Sequence, residues 1–395
     1  MGMEFRPYYL AREWVKMGHN VTIIAASYSH LRKHNPNVVR DFQEEMIDGI
    51  RYVWIKTDEY SGNGVSRAKT MFQFVHKIRV KAELLIAGID PDVIITSSTY
   101  PLDTYAGQKL KKNSKKMPIL IHEVHDLWPL TPMLLGNMSK YNPFIWTLQR
   151  AENSAYQNSD KVVSLLSNSK EYMKKHGLSE NKFFCIPNGI LEEEWNTNSN
   201  VPDEHNSLFK MLRSKDEFIV GYFGGHGISN ALEAIIECAG MLNNDRISFV
   251  FVGDGTEKNK LIDKVNKEKI SNVYFLPAVE KNSVYGLLSK VDCCIVNSHY
   301  SQLYENGISM NKVYDYMMAG KPIVFSVTTP DPIVEKYHCG ICTKSDDISQ
   351  MTNAILELKK IGGNRRAEMG NNGRIAIVNE FTYRMLAKKF INIMN

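Results

Sequence analysis

The chain has 395 residues, and its 48 Lys or Arg against 43 Asp or Glu give a formal net charge of +5. This excess is small and dispersed, so it does not predict a nucleic-acid surface, although it would tolerate an anionic membrane. The length predicts two domains. We find no secretory signal and no apolar run of about 18 residues, and we expect a cytoplasmic protein, at most peripheral on the inner face of the plasma membrane.

Six cysteines are scattered through the sequence. Cys339 and Cys342 have the spacing of a redox or zinc pair, but no second pair or histidine cluster of ligand spacing accompanies them. We therefore interpret them as small buried residues in a reducing compartment, and we predict no metal site.

Strand-like runs alternate with amphipathic helical runs along the whole chain, a pattern typical of doubly wound parallel sheets covered by helices. The first series of predicted strands comprises residues 20–25, 50–55, 92–96, 118–121, 161–165 and 183–186. Polar residues 196–217 predict a linker. The second series comprises 218–223, 247–252, 273–276, 293–296 and 323–326. We predict domains over 1–195 and 196–380, with a final helix in 381–395 that crosses back to the first domain.

Residues 307–324 predict a loop, a short helix and the start of a strand. Ser309 is the predicted N-cap, so that the amides of the first helical turn could hold a diphosphate. Lys312 adds a positive charge, and Asp315 lies one turn further along the same face, where a carboxylate could bind a ribose diol. An ordinary helix-to-strand crossover would explain the same spacing equally well.

Glycines recur where predicted strands of the second half end, which is the edge where open α/β sheets bind ligands. Three such loops should converge there and let backbone amides approach a phosphate. Each loop alone is weak support, because tight turns also need glycine. The glycines concerned are Gly224, Gly225, Gly227, Gly253, Gly255 and Gly307.

The run Tyr316-Met-Met-Ala-Gly-Lys-Pro-Ile323, with residues 253–258, 186–189 and Glu152 ahead of 159–163, resembles glycosyltransferase family 4 over nearly the whole chain. The resemblance implies the α/β GT-B fold, in which two Rossmann-like domains face a cleft. It also implies retaining, metal-independent transfer from a nucleotide sugar, with no other cofactor.

Residues 2–11, 60–67 and 122–129 resemble the branch that builds bacterial capsule and O-antigen. The resemblance implies transfer of an N-acetyl sugar, such as N-acetyl-L-fucosamine, from its UDP form to a lipid-linked saccharide. The implied acceptor carrier is undecaprenyl diphosphate at the inner membrane surface.

We assign site residues from the loops and from this resemblance. The donor-binding set is Gly224, Gly225, Gly227, Gly253, Gly255, Lys258, Gly307, Ile308, Ser309, Asn311 and Asp315. The catalytic set is His125, Asp126 and Lys312, and the acceptor-side set is Arg6, Tyr100 and Glu123. Without the resemblance, a His-Asp pair after a strand is more often an ordinary loop than a catalytic pair.

The chain departs from the family pattern at the donor loop. The family has two glutamates separated by seven residues; Asp315 matches the second, whereas Gly307 occupies the first position and Glu305 lies two residues away. We expect amides of residues 307–310 to replace the first glutamate. A basic residue is also expected after the first glycine-rich loop, but residues 228–230 supply none. Lys258 and Lys312 are therefore the predicted partners of the diphosphate.

The beginning of the chain also departs from the pattern, because residues 1–20 run directly into a helix without the usual hydrophobic strand and glycine loop. We expect the N-terminal domain to lack its first strand, through a late start or a shortened chain, and to expose sheet edges. Residues 69–81 mix basic and apolar side chains, as in a membrane-surface helix or a solvated face over a core stripe. A sugar-nucleotide epimerase and a shortened inactive paralogue are the alternative functions.

Overall fold

The computed structural model describes residues 5–30, 32, 34–62, 64–195 and 200–394. The chain divides into two compact units, Met1–Pro187 with Tyr383–Asn395, and Asn188–Thr382. The division thus falls after Pro187 rather than after residue 195, because Ile190 and Trp195 pack into the core of the second unit. Three parts of the sequence predictions lie outside the described residues: residues 1–4 at the start of the chain, residues 196–199 of the predicted linker, and Asn63 of the 60–67 run.

The first unit alternates strands and helices. Its strands are β1 (Thr22–Ala26), β2 (Gln43–Ile47), β3 (Ile50–Ile55), β4 (Val93–Thr96), β5 (Ile119–Val124), β6 (Lys161–Ser164) and β7 (Phe183–Cys185). Its helices are α1 (Arg6–Lys16), α2 (Val65–Val80), α3 (Ala82–Ile89), α4 (Thr104–Asn113), α5 (Leu130–Leu134), α6 (Pro143–Asn158), α7 (Lys170–Lys175) and, at the far end of the chain, α16 (Tyr383–Met394).

The strands of the first unit form two separate sheets, with orders β1-β3-β2 and β4-β5-β6-β7. All pairs are parallel except β2 with β3, which forms a hairpin closed by Asp48 and Gly49, both at positive φ. Ile24 of β1 and Ile94 of β4 pack against one shared hydrophobic cluster. Among the described strands, none pairs with the second edge of β1 or of β4. The sequence led us to expect such exposed edges.

The C-terminal helix packs on the first helix within this unit. The rings of Tyr9 and Tyr383 lie 4.9 Å apart, and those of Trp14 and Phe390 lie 5.5 Å apart. The Trp14 indole also donates to the carbonyl of Ala387. Aromatic contacts of this kind add to the burial of apolar area. They explain why residues from Tyr383 onward group with the first unit.

The second unit contains a single open sheet. Its strands are β8 (Phe218–Phe223), β9 (Ile247–Val252), β10 (Val273–Leu276), β11 (Cys293–Asn297), β12 (Ile323–Ser326) and β13 (Gly340–Thr343). Its helices are α8 (Asp203–Ser214), α9 (Leu232–Met241), α10 (Lys258–Lys267), α11 (Lys281–Leu288), α12 (Asn311–Met318), α13 (Ile333–Lys336), α14 (Ile348–Lys360) and α15 (Gly362–Ala376). A π-helical turn, Ile377–Phe381, follows α15.

The strand order of this sheet is β10-β9-β8-β11-β12-β13, and every pair is parallel. Strands β8, β9 and β11 are buried along their full length, with separate hydrophobic clusters on the two faces. Parallel sheets covered on both faces need such continuous apolar strands. The carboxyl ends of the strands therefore gather their connecting loops at one edge.

The predicted linker over 196–217 is wrong for its described part, because it contains α8. His205, Phe209 and Leu212 of this helix are buried, at spacings of four and three residues. This stripe is narrow and surrounded by polar residues, so it resembled a linker in the sequence. None of the described helices is both long and apolar enough to cross a bilayer.

Candidate functional site

Two glycine-rich loops of the second unit, after β8 and β9, pack backbone against backbone. The amide of His226 donates to Asp254 O at 2.8 Å. A Cβ atom on Gly253 would lie 1.9 Å from Gly224 O, and one on Gly255 would lie 2.5 Å from His226 O. Gly253 and Gly255 are therefore required by the close approach of the two loops.

Gly225 and Gly227 of the first loop are not under that constraint. A Cβ atom on Gly227 would meet nothing within 4 Å, and one on Gly225 would approach only Asp254 O, at 4.0 Å. Gly225 is exposed. The two residues leave open space at their backbone, which is what close approach of a ligand phosphate needs.

Lys312 of α12 lies beside the first glycine-rich loop. A Cβ atom on Gly224 would be 3.4 Å from Lys312 Cε and 3.6 Å from its Nζ. The Lys312 ammonium donates to the Tyr222 hydroxyl at 2.9 Å and to Asn230 Oδ1. Asn230 lies in the stretch where the family resemblance predicts a basic residue. In this chain α12 brings the positive charge to the loop instead.

The neighbours of Lys312 are electrically neutral. Among the described residues, no carboxylate forms an ion pair with it. Burial lowers the pKa of Lys312 to about 8. A partly buried cation without a counter-charge carries a desolvation cost that a bound anion would offset.

Asp315 lies one turn beyond Lys312 on α12, as the sequence predicted. Burial raises the pKa of its carboxyl to about 7; the charge of Lys281 opposes this rise and that of Glu194 adds to it. Lys281 and Glu194 form an ion pair at 2.8 Å. The Asp315 carboxyl is thus poorly solvated, a state that hydroxyl donors would relieve.

The predicted N-cap at Ser309 is wrong, because α12 begins at Asn311 and its N-cap is Met310. The Ser309 hydroxyl instead accepts from the amide of Asn188 at 3.1 Å, and Ser309 O accepts from the Asn188 side chain. Gly307 has φ 94° and ψ 172°, a region that is open almost only to glycine. This backbone geometry explains why glycine stands where the family has its first glutamate.

The remaining donor-set residues have different surroundings. Lys258 donates its ammonium to Gly253 O at 2.8 Å and to Leu276 O at 3.2 Å, so it ties two loops together. Ile308 packs partly buried against the hydrophobic core, and Asn311 is exposed at the first turn of α12. Lys258 therefore contacts the second glycine-rich loop, whereas the Lys312 ammonium lies beside Gly224 of the first.

In the first unit, Arg6, Glu123 and His125 come together, although Arg6 is far from the others in sequence. Arg6 Nε donates to Glu123 Oε1 at 2.9 Å, and its other nitrogens donate to the carbonyls of Ile186 and Pro187. Glu123 and Arg6 are both buried. The predicted acceptor-side residues Arg6 and Glu123 are therefore an internal ion pair.

His125 is the exposed end of this cluster. Its Nε2 lies 3.0 Å from Glu123 Oε2 and 2.9 Å from Ser97 Oγ, and the Ser97 hydroxyl donates to Glu123 Oε2. Burial alone would raise the pKa of Glu123, but Arg6, His125 and the hydrogen bonds hold it well below its usual range. An ionised Glu123 places the imidazole proton on Nε2 and leaves Nδ1 as the acceptor. His125 is 18% exposed, so this nitrogen can serve a ligand.

Asp126 and Tyr100 are not part of this cluster of charges. Asp126 Oδ1 accepts from the Leu127 amide at 3.0 Å and from the Thr131 hydroxyl at 2.7 Å, and burial raises its pKa. Its carboxyl therefore stabilises its own loop. Tyr100 packs partly buried against the hydrophobic cluster of the first unit.

Several polar residues of the two sites were missed in the sequence. Ser97 was in none of the predicted sets, and Asn230 was mentioned only within residues 228–230, which supply no basic residue. Asp103 is buried, with its pKa raised to about 7 by burial, and the nearby charge of His125 opposes this rise. His226 is fully buried, and neither ring nitrogen has a hydrogen-bond partner among the described residues. Only Ser97, which directly follows β4, carried a signal in the sequence.

Comparison with known families matches the two halves separately. Residues 2–194 match Glycosyltransferase Family 4, and residues 203–376 match Glycosyl transferases group 1. A probable glycosyltransferase, WbjE of Pseudomonas aeruginosa, is 26% identical over 272 residues, which cover 66% of this chain. The chain spans 62% of the length of this curated relative.

Solved structures share the fold at low identity. Sucrose-phosphate synthase from Thermosynechococcus elongatus matches with a TM-score of 0.71 at 17% identity, over 97% of this chain and 90% of its own. HepE from Anabaena, in complex with UDP and glucose, matches with a TM-score of 0.62 at 15% identity, over 88% of this chain and 86% of its own. WaaG, a glycosyltransferase involved in lipopolysaccharide biosynthesis, matches with a TM-score of 0.64 at 13% identity, over 99% of this chain and 95% of its own. By its fold the chain is similar to GT-B glycosyltransferases, and its N-terminal and C-terminal halves match the Glycosyltransferase Family 4 and Glycosyl transferases group 1 models, respectively.

Proposed function

We propose that the chain transfers a sugar from a UDP-sugar to a lipid-linked saccharide, with retention of the anomeric configuration. The assignment of a UDP-sugar donor rests on one observation. The Lys312 ammonium is partly buried and has no counter-charge among the described residues, and it is held by Tyr222 and Asn230 beside a glycine-rich loop. The charge, the open loop backbone and the low solvation suit a diphosphate.

Asp315 is the proposed ribose ligand. Its carboxyl lies one helical turn from Lys312 and is poorly solvated, so two hydroxyl donors of a ribose would stabilise its ionised form. Aspartate is shorter than the glutamate expected from the family, but both supply the same two acceptor oxygens. Together the two residues would recognise a nucleoside diphosphate, Lys312 through the diphosphate and Asp315 through the ribose.

In the proposed reaction, the bond between the anomeric carbon and the diphosphate oxygen breaks, and the acceptor oxygen bonds to the same face of that carbon. The acceptor proton passes to the departing phosphate oxygen. Lys312 stabilises the negative charge that develops on the diphosphate, which is the largest expected contribution to catalysis. His125, oriented by Glu123 and Ser97, accepts a hydrogen bond at Nδ1 from the transferred sugar or the acceptor.

Comparisons with relatives support the substrate part of this proposal. HepE was solved with UDP and glucose, and WaaG is described as acting in lipopolysaccharide biosynthesis. We propose a comparable role in capsule or O-antigen synthesis at the inner face of the plasma membrane. The donor would be an N-acetyl sugar such as N-acetyl-L-fucosamine, and the acceptor carrier would be undecaprenyl diphosphate.

Thermal unfolding with UDP, GDP, ADP or CMP tests the donor site. A nucleotide at about 100 times its dissociation constant should stabilise the protein by about 2.7 kcal/mol. We expect UDP to raise the unfolding midpoint, Asp315→Ala to abolish this response, and Asp263→Ala, at an exposed aspartate of α10, to keep it. If no nucleotide raises the midpoint, or if Asp315→Ala responds like the parent chain, the proposed donor site is wrong.

Product analysis tests the reaction itself. The protein is incubated with UDP-N-acetyl sugars and a polyprenyl-diphosphate-linked saccharide, and the product linkage is read by NMR. Retention requires that the product has the anomeric configuration of the donor. An epimerised nucleotide sugar formed without acceptor would instead identify an isomerase.

A further inference from the structure

Two segments of the first unit contain no acidic residue. Residues 60–82 carry five Lys or Arg and no Asp or Glu, and residues 127–151 carry two Lys or Arg and no Asp or Glu. The whole chain has 43 acidic residues in 395, so two long stretches without any are unusual. The first segment includes α2, and the second includes α5 and most of α6. Two of these seven cations, Lys69 and Lys77, pair with Asp58 and Asp41 outside the segments, and the remaining charge of the two segments is positive.

The two segments meet at an apolar groove. The groove is lined by Phe72 and Val75 of α2, by Leu102 and Tyr105, and by Thr147 of α6. The rings of Phe72 and Phe144 lie 6.5 Å apart, edge to face, which joins α2 to α6. The groove is lined mainly by carbon atoms and is open to solvent.

Large apolar side chains are exposed on α2, on α6 and in the loop before α6. Trp146 is 56% exposed, Tyr141 is 82% exposed and Phe72 is 44% exposed. Soluble monomers rarely leave such side chains clustered at the surface without a partner. Tryptophan and tyrosine are enriched where proteins meet the membrane–water interface.

Each exposed aromatic residue of α6 and the loop before it has a cation on its ring. The Arg150 guanidinium lies 3.5 Å from the centre of the Trp146 ring, and the Lys140 ammonium lies 5.1 Å from that of Tyr141. Arg79 lines the groove from α2. Among the described residues, Arg79, Lys140 and Arg150 form no ion pair, so their charges are available to an anionic partner.

The same surface adjoins the loop of His125. Trp128 is three residues beyond His125, and the Arg67 guanidinium lies 5.7 Å from the centre of its ring. Leu102 of the groove follows the loop that contains Ser97. A substrate that reaches His125 while its lipid stays in a membrane would need a membrane contact close to this loop.

We propose that Phe72, Arg79, Tyr141, Trp146 and Arg150, here called the basic aromatic face, dock on a bilayer that contains anionic lipids. The aromatic side chains enter the interface, and the cations contact the headgroup phosphates. The groove beside Phe72 accommodates an acyl or polyprenyl chain. That the acceptor is linked to a lipid rests on the proposed function, whereas the docking of this face on a bilayer does not.

Vesicle co-sedimentation of the full chain tests the proposal, with phosphatidylcholine vesicles prepared with or without phosphatidylglycerol. We expect binding only with phosphatidylglycerol, and weaker binding as salt rises. Arg150→Gln should weaken binding about fivefold, which corresponds to roughly 1 kcal/mol for one cation near the surface. Trp146→Gln should weaken it further. Arg374→Gln, at an exposed arginine of α15, is the matched control and should bind like the parent chain.

The UDP response in thermal unfolding separates docking from the donor site. Variants of the basic aromatic face should keep it, which also shows that they are folded. Equal binding to both vesicle types, or equal binding by Arg150→Gln and Arg374→Gln, would refute the proposal. A parent chain that elutes as a dimer while Trp146→Gln elutes as a monomer would also refute it, because the face would then contact a second copy.

Discussion

The protonation of Lys312 gives the sharpest test of the proposed donor site. In the free protein, burial lowers the pKa of Lys312 to about 8. A bound diphosphate supplies the missing counter-charge and should return the pKa to its ordinary 10.5 or above. UDP binding above pH 8 should therefore take up a proton.

The size of this effect follows from the two pKa values. A return of the Lys312 pKa from about 8 to 10.5 is worth about 3 kcal/mol, or roughly 300-fold in affinity. At pH 9 the free side chain is about one tenth protonated, so binding should take up about 0.9 proton. The sign is that of a lowered lysine pKa: UDP affinity is highest below pH 8 and falls as pH rises toward 10.5. Asp315, with its pKa at about 7, should lower the affinity again below pH 7.

Isothermal titration calorimetry at pH 9, in two buffers that differ in ionisation enthalpy, measures the proton uptake directly. Lys312→Met should bind UDP weakly and take up no proton. Lys258→Met is the matched control, because the Lys258 ammonium is held by two carbonyls, and this variant should keep the uptake. No proton uptake in the parent chain at pH 9, or the same uptake in Lys312→Met, would refute the assignment.

Two further predictions concern the ion pair of the first unit and the donor loop. Glu123→Gln should cost about 3 to 5 kcal/mol of stability in urea unfolding, because it leaves the Arg6 guanidinium buried without a counter-charge. Because the pKa of Glu123 is lowered, this contribution to stability is complete above about pH 4.3 and is lost as pH falls. Adding Arg6→Met to Glu123→Gln should recover most of the stability but not the transfer rate. Purely additive losses of stability in the double variant would contradict the pairing. Gly307→Ala should cost about 1 to 3 kcal/mol and weaken UDP binding, since its φ of 94° and ψ of 172° suit glycine alone. Gly363→Ala, where a Cβ meets nothing within 4 Å, should cost nothing, and equal effects of the two substitutions would contradict the reasoning.

The strands that the sequence predicted best are those buried on both faces. The predicted bounds of β8, β9 and β12 agree with the structure, because a continuous apolar run is needed wherever helices cover both faces. Strand β2 was missed because Gln43-Glu-Glu45 is polar and its residues are largely exposed. Strand β13 was missed because it is short and begins at Gly340, where a Cβ atom would lie 2.0 Å from Ile323 O.

The site was predictable where it depends on helical spacing. Lys312 and Asp315 share a face of α12 because they are one turn apart. The Arg6–Glu123 pair joins residues 117 positions apart, so no local pattern indicates that both are buried. The tie of Lys258 to two carbonyls likewise depends on the packing of two loops. Long-range polar contacts of this kind are decided by the tertiary fold.

The divided sheet of the first unit has a consequence for amide hydrogen exchange. Ser27 N donates to Ile55 O and Ile119 N donates to Asp92 O, and successive amides of a parallel strand alternate in direction. The amides of β1 and β4 that point away from β3 and β5 are those of Thr22, Ile24, Ala26, Val93 and Ile95. These five amides should exchange with solvent far sooner than those of β8, which lies between two strands. An extended segment that came to lie between β1 and β4 would protect both rows of amides together.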